Sequence, residues 1–340
     1  MQIDEENENQ IIVYRVLTKL SEVEAIALEW DAVLKRSLCN RAFSSAKWYL
    51  AACRHDANVS PYAIIAQRGT RLAGILPLAL IDAGEIAAFP TGLSDYNDIV
   101  AAPEDVNVHV GLLQYAFAQA GGYRRLRLDD VRRDSNCTRA LLLIRRTQAM
   151  HQVSLTYDIC PYIQLSNSYA AYLETRGERF KKRLKYAQRH AARNDLTTTE
   201  LEPETFPPDQ LAEVFLSLHR NRCGATSCFV PEQAQSFVRE IFPLLFTERS
   251  LRAFALLKKE RILGINICMV GVKSLCYWNG GFLAEASSFS PGKLLIDAGI
   301  RQAFSMQFDE YDFLRGAEGY KSDWANSTRH ISRIEFKGEI

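Results

Sequence analysis

Ser290-Pro291-Gly292-Lys293 reads as the mouth of a helix suited to an anion. Proline has the φ that a first helical turn needs, and glycine lets a ligand approach the backbone. Unpaired N–H groups and the positive end of the helix dipole draw negative charge, and Lys293 adds a full cation there. A phosphate-bearing cofactor held by Ser290, Gly292 and Lys293 is the chemistry this predicts. Groups able to move protons follow. Asp312 ends a short strand, Tyr311–Leu314, and Tyr320, Lys321 and Trp324 stand at helical spacing. Asp312 could orient or deprotonate an amine or hydroxyl, or pair with Arg315 as a structural carboxylate. Lys321 could meet a phosphate or an acidic substrate. Tyr320 could act as a proton donor, or pack with Trp324 as an aromatic face on a sheet.

Three further places carry candidate chemistry. His219 and Arg222 close a helix whose apolar face is Leu211, Val214, Phe215 and Leu218. A histidine there could serve a substrate or only complement the helix dipole. Trp278, in Tyr277-Trp278-Asn279-Gly280-Gly281, falls with Arg222 on the substrate side. Asp95 and Tyr96 lie in Ser94-Asp95-Tyr96-Asn97-Asp98, which could bind an amine or sugar hydroxyls, or be a turn with local reasons to exist. The eight cysteines include no C-x-x-C pair, and Cys223 and Cys228 lack a partner pair at zinc spacing. Reduced structural thiols and no metal are expected. No cysteine stands beside a histidine in a recognisable nucleophile arrangement, so no covalent intermediate is expected either. Motifs of serine hydrolases, P-loop ATPases, zinc proteases and dinucleotide-binding dehydrogenases are missing.

These residues need elements to position them. Apolar periodicity predicts helices at Val23–Leu34, Trp48–Cys53, Val106–Ala120, Arg179–Arg193, Leu211–Arg220, Ala234–Leu245 and Leu294–Phe304. Strand-like runs lie at Ile11–Leu17, Tyr62–Gln67, Leu72–Leu80, Arg125–Asp129, His151–Tyr157, Arg252–Leu257, Ile262–Val270, Ser274–Trp278, Tyr311–Leu314 and Ile331–Phe336. Their alternation points to mixed α/β layers. With 340 residues there is chain enough for two domains, divided at 155/156.

The halves resemble each other. Tyr62–Ile75 and Arg252–Ile265 are both strand, polar turn and strand, with Arg-x-x-Gly-Ile at the same offset. Each leads to a Pro-opened helix, at Pro103 and Pro291, and then to another strand. Duplication is the better reading of this shared order. The helix starts differ: Pro103-Glu104-Asp105 repels a phosphate, whereas Pro291-Gly292-Lys293 attracts one. The second copy is therefore expected to hold the cofactor, with the first as scaffold and substrate wall.

Net charge is +1, so any nucleic-acid or membrane contact must come from a local patch. The candidate is a helix at 177–193, whose cations crowd around an apolar stripe of Phe180, Leu184, Ala187 and Ala191. Its basic face could be merely solvated, or meet an acidic lipid surface as a peripheral contact, an anionic polymer or RNA. The acidic start Met1–Gln10 is unlike a signal peptide, and the longest apolar run, Leu72–Ile81, is too short to span a bilayer. A cytoplasmic protein is the expectation.

The order of hairpin, strand, Ser-Pro-Gly helix and Asp312-Phe313-Leu314-Arg315-Gly316…Tyr320-Lys321-x-x-Trp324 resembles the GNAT acyltransferase superfamily. It is similar in particular to the tandem-GNAT CelD/BcsL-like, or cellulose biosynthesis-type, acetyltransferase group, with the Fem peptidyltransferases as distant relatives. Trp30-Asp31, Phe43-Ser44-Ser45-Ala46-Lys47-Trp48, Gly74-Ile75-Leu76-Pro77-Leu78 and Leu218-His219-Arg220-Asn221-Arg222 extend the likeness over nearly the whole chain. The resemblance implies two tandem GNAT-like domains, each a mixed central sheet flanked by helices. It implies an acyl-CoA donor and a small-molecule or saccharide acceptor in envelope or exopolysaccharide metabolism. Direct attack on a thioester would place Asp312 as proton acceptor and Tyr320 as proton donor to the leaving thiolate, with His219 as a catalytic candidate on the substrate side. The Fem likeness keeps open a charged tRNA as donor, and a degenerate, non-catalytic binding module is the third reading. The common GNAT phosphate loop, Gln/Arg-x-x-Gly-x-Gly/Ala, is here only Phe289-Ser290-Pro291-Gly292-Lys293, with fewer close-approach amides.

Overall fold

A computed structural model describes residues 11–90, 93–119, 123–145 and 152–337. The acidic start Met1–Gln10, Ala120 at the end of one predicted helix and His151 at the start of one predicted strand lie outside the described residues. The chain forms two compact units, Met1–Tyr157 with His330–Ile340, and Asp158–Arg329. The units part after Tyr157, where the sequence reading divided the chain at 155/156, and His330–Ile340 falls with the first unit.

In the first unit, β1 (Ile12–Leu17), β2 (Ser60–Arg68), β3 (Arg71–Ile81) and β4 (Ile86–Ala88) pair antiparallel in that order. The two-residue β5 (Val100–Ala101) adds to β3, and β6 (Arg125–Arg132) runs parallel to β4. Helices cover both faces, so β2 reads as a continuous apolar run rather than an alternating one. Ile65 packs with α1 (Leu20–Ala25), α2 (Ala27–Arg36) and α3 (Ala46–His55), through Val23, Trp30 and Tyr49. Its neighbour Ile64 points the other way, to Leu112 of α4 (Val106–Ala118) and Leu141 of α5 (Asn136–Arg145).

The second unit repeats the plan. From Asp158 onward β7 (Gln152–Gln164) belongs to it, followed by α6 (Tyr169–Glu174), α7 (Glu178–Arg193) and β8 (Leu196–Leu201). Then come α8 (Pro208–Cys223), α9 (Glu232–Thr247), β9 (Leu251–Lys258), β10 (Arg261–Val270), β11 (Ser274–Phe282), α10 (Pro291–Ser305), β12 (Glu310–Asp312) and α11 (Gly319–Trp324). β8, β9, β10 and β11 pair antiparallel in order, β12 runs parallel to β11, and β7 flanks β12. The last strand, β13 (Ser327–Lys337), pairs with β6 from Ile331 onward.

The duplication read from the sequence has a structural counterpart at residue level. Gly69 and Lys259 take the same left-handed place in the two hairpin turns, with φ of 57° and 55°. Gly74 and Gly264 hold equivalent places beneath α4 and α10. A Cβ on Gly74 would come within 2.5 Å of Val108, and one on Gly264 within 3.3 Å of Leu295. In both copies the missing side chain lets a helix lie close on the hairpin. Among the described residues no helix is long and apolar enough to cross a membrane.

Candidate active site

The second unit has an opening in its sheet. Parallel pairing of β11 with β12 spans only Ser274–Cys276 against Glu310–Asp312. Beyond Asp312 the chain stays with β7, since Phe313 N–H donates to Pro161 O at 3.0 Å and Gly316 N–H to Ile159 O at 2.9 Å. β11 meanwhile continues to Phe282 along β10, so the two strands part. At the parting β11 carries a bulge: Cys268 faces Tyr277 and Ile267 faces Asn279, leaving Trp278 as the extra residue. Bulges re-aim side chains and interrupt pairing, and both occur here.

Residues from three elements meet beside this opening. Arg222 of α8 and Tyr320 of α11 lie close enough to Tyr277 of β11 to act on its phenol. Arg222 also donates to Gly280 O at 3.1 Å and lies over the Phe282 ring. Burial pushes both phenols above their ordinary value, and for Tyr320 the nearby Tyr277 and Glu318 push further. Burial works to lower the Arg222 guanidinium, but its phenol and thiol neighbours outweigh that and hold it above its usual range. Arg222 therefore remains a cation and Tyr320 a proton donor at neutral pH.

His219, one turn before Arg222, is buried against Phe215 and Phe229. Its Nδ1 lies 2.9 Å from Ser227 Oγ, and its Nε2 lies 3.8 Å from Cys223 Sγ. Burial, then the charge of Arg222, lower its pKa to about 4, against a hydrogen bond to Asn279 that raises it. The imidazole is neutral at pH 7 and able to accept a proton. Placement so close to β11 depends on Gly281, because a Cβ there would fall 2.3 Å from His219 N. The i, i+4 spacing on α8 brings Cys223 and His219 together.

The start of α10 is open. Ser290 caps it in the left-handed conformation at φ 57°, and nothing lies within 4 Å of a Cβ built on Gly292. Pro291 has no N–H, while those of Lys293 and Leu294 turn back to Ser290 O. This leaves the Gly292 N–H, among the described residues, as the first-turn donor facing outward. Lys293 adds its cation, lowered in pKa by burial and then by Arg183 of α7, with Asp323 opposing. Arg183, which the sequence reading did not single out, pairs with Asp323 at 3.2 Å. The matching helix start in the first unit is already filled: Arg68 makes a two-pronged pair with Asp105 at 2.6 and 2.7 Å. The buried Asn266 of β10, beside Gly280, has no hydrogen-bond partner for Nδ2. It too was unread, although a polar residue inside Ile265–Val270 was visible.

Other predicted site residues have structural duties. Lys321 is buried, its ammonium donating to Arg315 O at 2.5 Å and pairing with Glu318 at 3.0 Å. Asp312 is buried too, accepting from Leu314 N–H at 2.8 Å, with Arg329 at 3.7 Å. Trp278 is half-buried among Phe215, Phe229 and Phe242. Asp95 and Tyr96 lie in the first unit, where Arg132 stands over the Tyr96 ring and Tyr96 has φ 58°. In the same loop Asp98 accepts the Asn136 and Cys137 N–H groups and so caps α5.

A sheet that parts beside the open start of a helix is also the frame of the proteins this chain is similar to. Residues 178–322 match the family model described as an acetyltransferase (GNAT) domain. The crystal structure of FemX superposes with a TM-score of 0.65 at 12% identity, over 96% of this chain and 97% of that one. L-PGS from Bacillus licheniformis does so with 0.62 at 8% identity, over 95% and 93%. A tandem GNAT protein from the clavulanic acid biosynthesis pathway gives 0.50 at 11%, over 97% and 99%. At such identities the likeness is one of fold. A search among curated proteins by sequence finds no match. Residues 178–322 are thus similar to a GNAT domain, and the chain as a whole has the fold of tandem GNAT-like proteins.

Proposed function

We propose that the second unit transfers an acyl group from acyl-CoA to the amine or hydroxyl of a small polar or saccharide acceptor, by direct attack. The observation that carries this is the parting of β11 from β12 beside the open start of α10. The donor is a thioester with a diphosphate along its length, and the groups present suit it. Gly292 N–H, Lys293 and Arg183 would take the diphosphate, and the unpaired Asn266 amide and the freed edge of β11 would take the amides of its arm. The same Ser290, Gly292 and Lys293 were expected to hold it; Lys321 is already engaged within the protein.

His219 is the better proton acceptor than Asp312, since its imidazole is neutral while the Asp312 carboxylate is held by Leu314 N–H and faced by Arg329. In this reading His219 Nε2 takes the proton of the attacking amine or hydroxyl. Tyr320, protonated at neutral pH, would donate a hydrogen bond to the departing sulfur, which can leave as the thiolate because its pKa of about 8.5 lies below that of the raised phenol. Arg222, charged and anchored on Gly280 O, lies beside the two phenols. Arg222 and Trp278 are the nearest candidates for acceptor contact in this unit.

Release of free thiol from acetyl-CoA, followed with a panel of amines and sugars, tests the reading. Acceptor-dependent release with intersecting initial-rate patterns is expected, and Tyr320→Phe should lower kcat by roughly 100-fold or more. Wild-type protein that releases no thiol with any acceptor, yet transfers an aminoacyl group from charged tRNA, would overturn it in favour of the Fem-like donor.

A further inference from the structure

α7 carries more than a solvated charge. Lys182, Lys185, Tyr186, Arg189 and Arg193 fall at i, i+3, i+4, i+7 and i+11, and with His190 they line a groove of about 350 Å³. That is within the range of about 300–1,000 Å³ typical of small-ligand sites. Among the described residues, none of the four cations has a carboxylate within ion-pair distance, whereas Lys181 and Arg183 on the same helix do. Tyr186 is 68% exposed, so its ring is accessible to a partner in the groove. Its centroid is 5.7 Å from His190, and His190 is 4.9 Å from Phe289. The three rings form a ladder from the groove to the residue before Ser290. His190 Nδ1 is buried with no hydrogen-bond partner.

Rings with cations around them are the means by which proteins hold a nucleotide: the base stacks and the phosphate pairs. The position selects which nucleotide. A donor whose diphosphate lies at Gly292, Lys293 and Arg183 continues, past that diphosphate, as adenosine carrying a 3′-phosphate. We infer that the outer face of α7 is the seat of this adenosine 3′-phosphate, with Tyr186 stacking on the adenine and Lys185 and Arg189 pairing with the phosphate. The inference rests on the acyl-CoA reading above and adds to it a means of telling CoA from shorter thioesters.

Calorimetry with CoA and 3′-dephospho-CoA separates the two. Wild type should bind CoA at least tenfold more tightly than dephospho-CoA. The exposed double variant Lys185→Glu/Arg189→Glu, checked for fold by circular dichroism, should bind both alike and as weakly as wild type binds dephospho-CoA. Tyr186→Ala should weaken both ligands about equally, by threefold or more. Equal affinity of wild type for the two ligands, or a preference that survives in the double variant, would overturn the assignment while leaving the donor reading intact. Wild type binding neither ligand would overturn both. An RNA minihelix ending in CCA that binds wild type at 0.15 M salt where CoA does not would give the groove to RNA instead.

Discussion

The ring of Phe180 meets that of Trp324 edge-on, with centroids 4.7 Å apart, and the contact ties α7 to the helix that carries Tyr320. Tyr172 of α6 and Arg176, just before α7, also hold this helix by donating to the Trp324 carbonyl at 2.7 and 3.2 Å. α11 is only six residues long and would not be stable alone. Phe180→Ala should therefore cost roughly 3–5 kcal/mol in urea unfolding, because Phe180 is buried. A loss below about 1 kcal/mol would show that α7 is a loosely attached cover.

Cys223 stands where a nucleophile could stand, yet direct attack needs none. Cys223→Ala should keep kcat within about threefold of wild type. An acyl-cysteine at position 223 found by mass spectrometry after mixing with donor alone would contradict direct attack.

His219 sets the pH behaviour. Its pKa is about 4 in the folded protein and 6.5 when free, so as pH falls the unfolded chain takes its proton first. Stability is full above pH 6.5 and is lost between about 6.5 and 4, by roughly 3 kcal/mol in all. His219→Gln should flatten that part of the stability profile. If His219 is the proton acceptor, the acid limb of kcat/KM should fall near pH 4, and an acid limb centred above 6 would remove it from that role.

Gly281 is the point at which α8 rests on β11. Gly281→Ala would push a methyl into the backbone of Leu218 and His219 at 2.3 Å. Helix backbone cannot yield as a side chain can, so a cost of about 1–3 kcal/mol is expected. Displacement of His219 should also lower activity in whatever protein remains folded. Unchanged melting temperature and turnover would mean that α8 is free to slide.

Much of this fold was legible because its signals are local. The two hairpins carry apolar runs around polar turns, and α8 and α10 show plain helical stripes. β8 was not read at all. Its Thr197, Thr198 and Thr199 are exposed and only Leu196 and Leu201 at its ends are buried, which is what an edge strand shows and what a loop shows too. The start of α10 was legible as an anion site from proline, glycine and lysine alone. Arg183 was not, since picking the one cation that reaches α10 requires the rotation of α7 about its axis. Lys321 illustrates the opposite error: a lysine near a suspected phosphate site turned inward to meet a carbonyl, which only tertiary structure reveals.

The central claim is that the second unit takes its donor at the open start of α10. Calorimetry of CoA binding to wild type and to Gly292→Glu tests it most directly. The substitution meets empty space, so folding should be unaffected, while the new carboxylate sits at the helix mouth beside Lys293. Loss of CoA binding by at least a hundredfold, with an unchanged melting temperature, is the predicted result. A Gly292→Glu protein that binds CoA as tightly as wild type would contradict it and move the donor elsewhere.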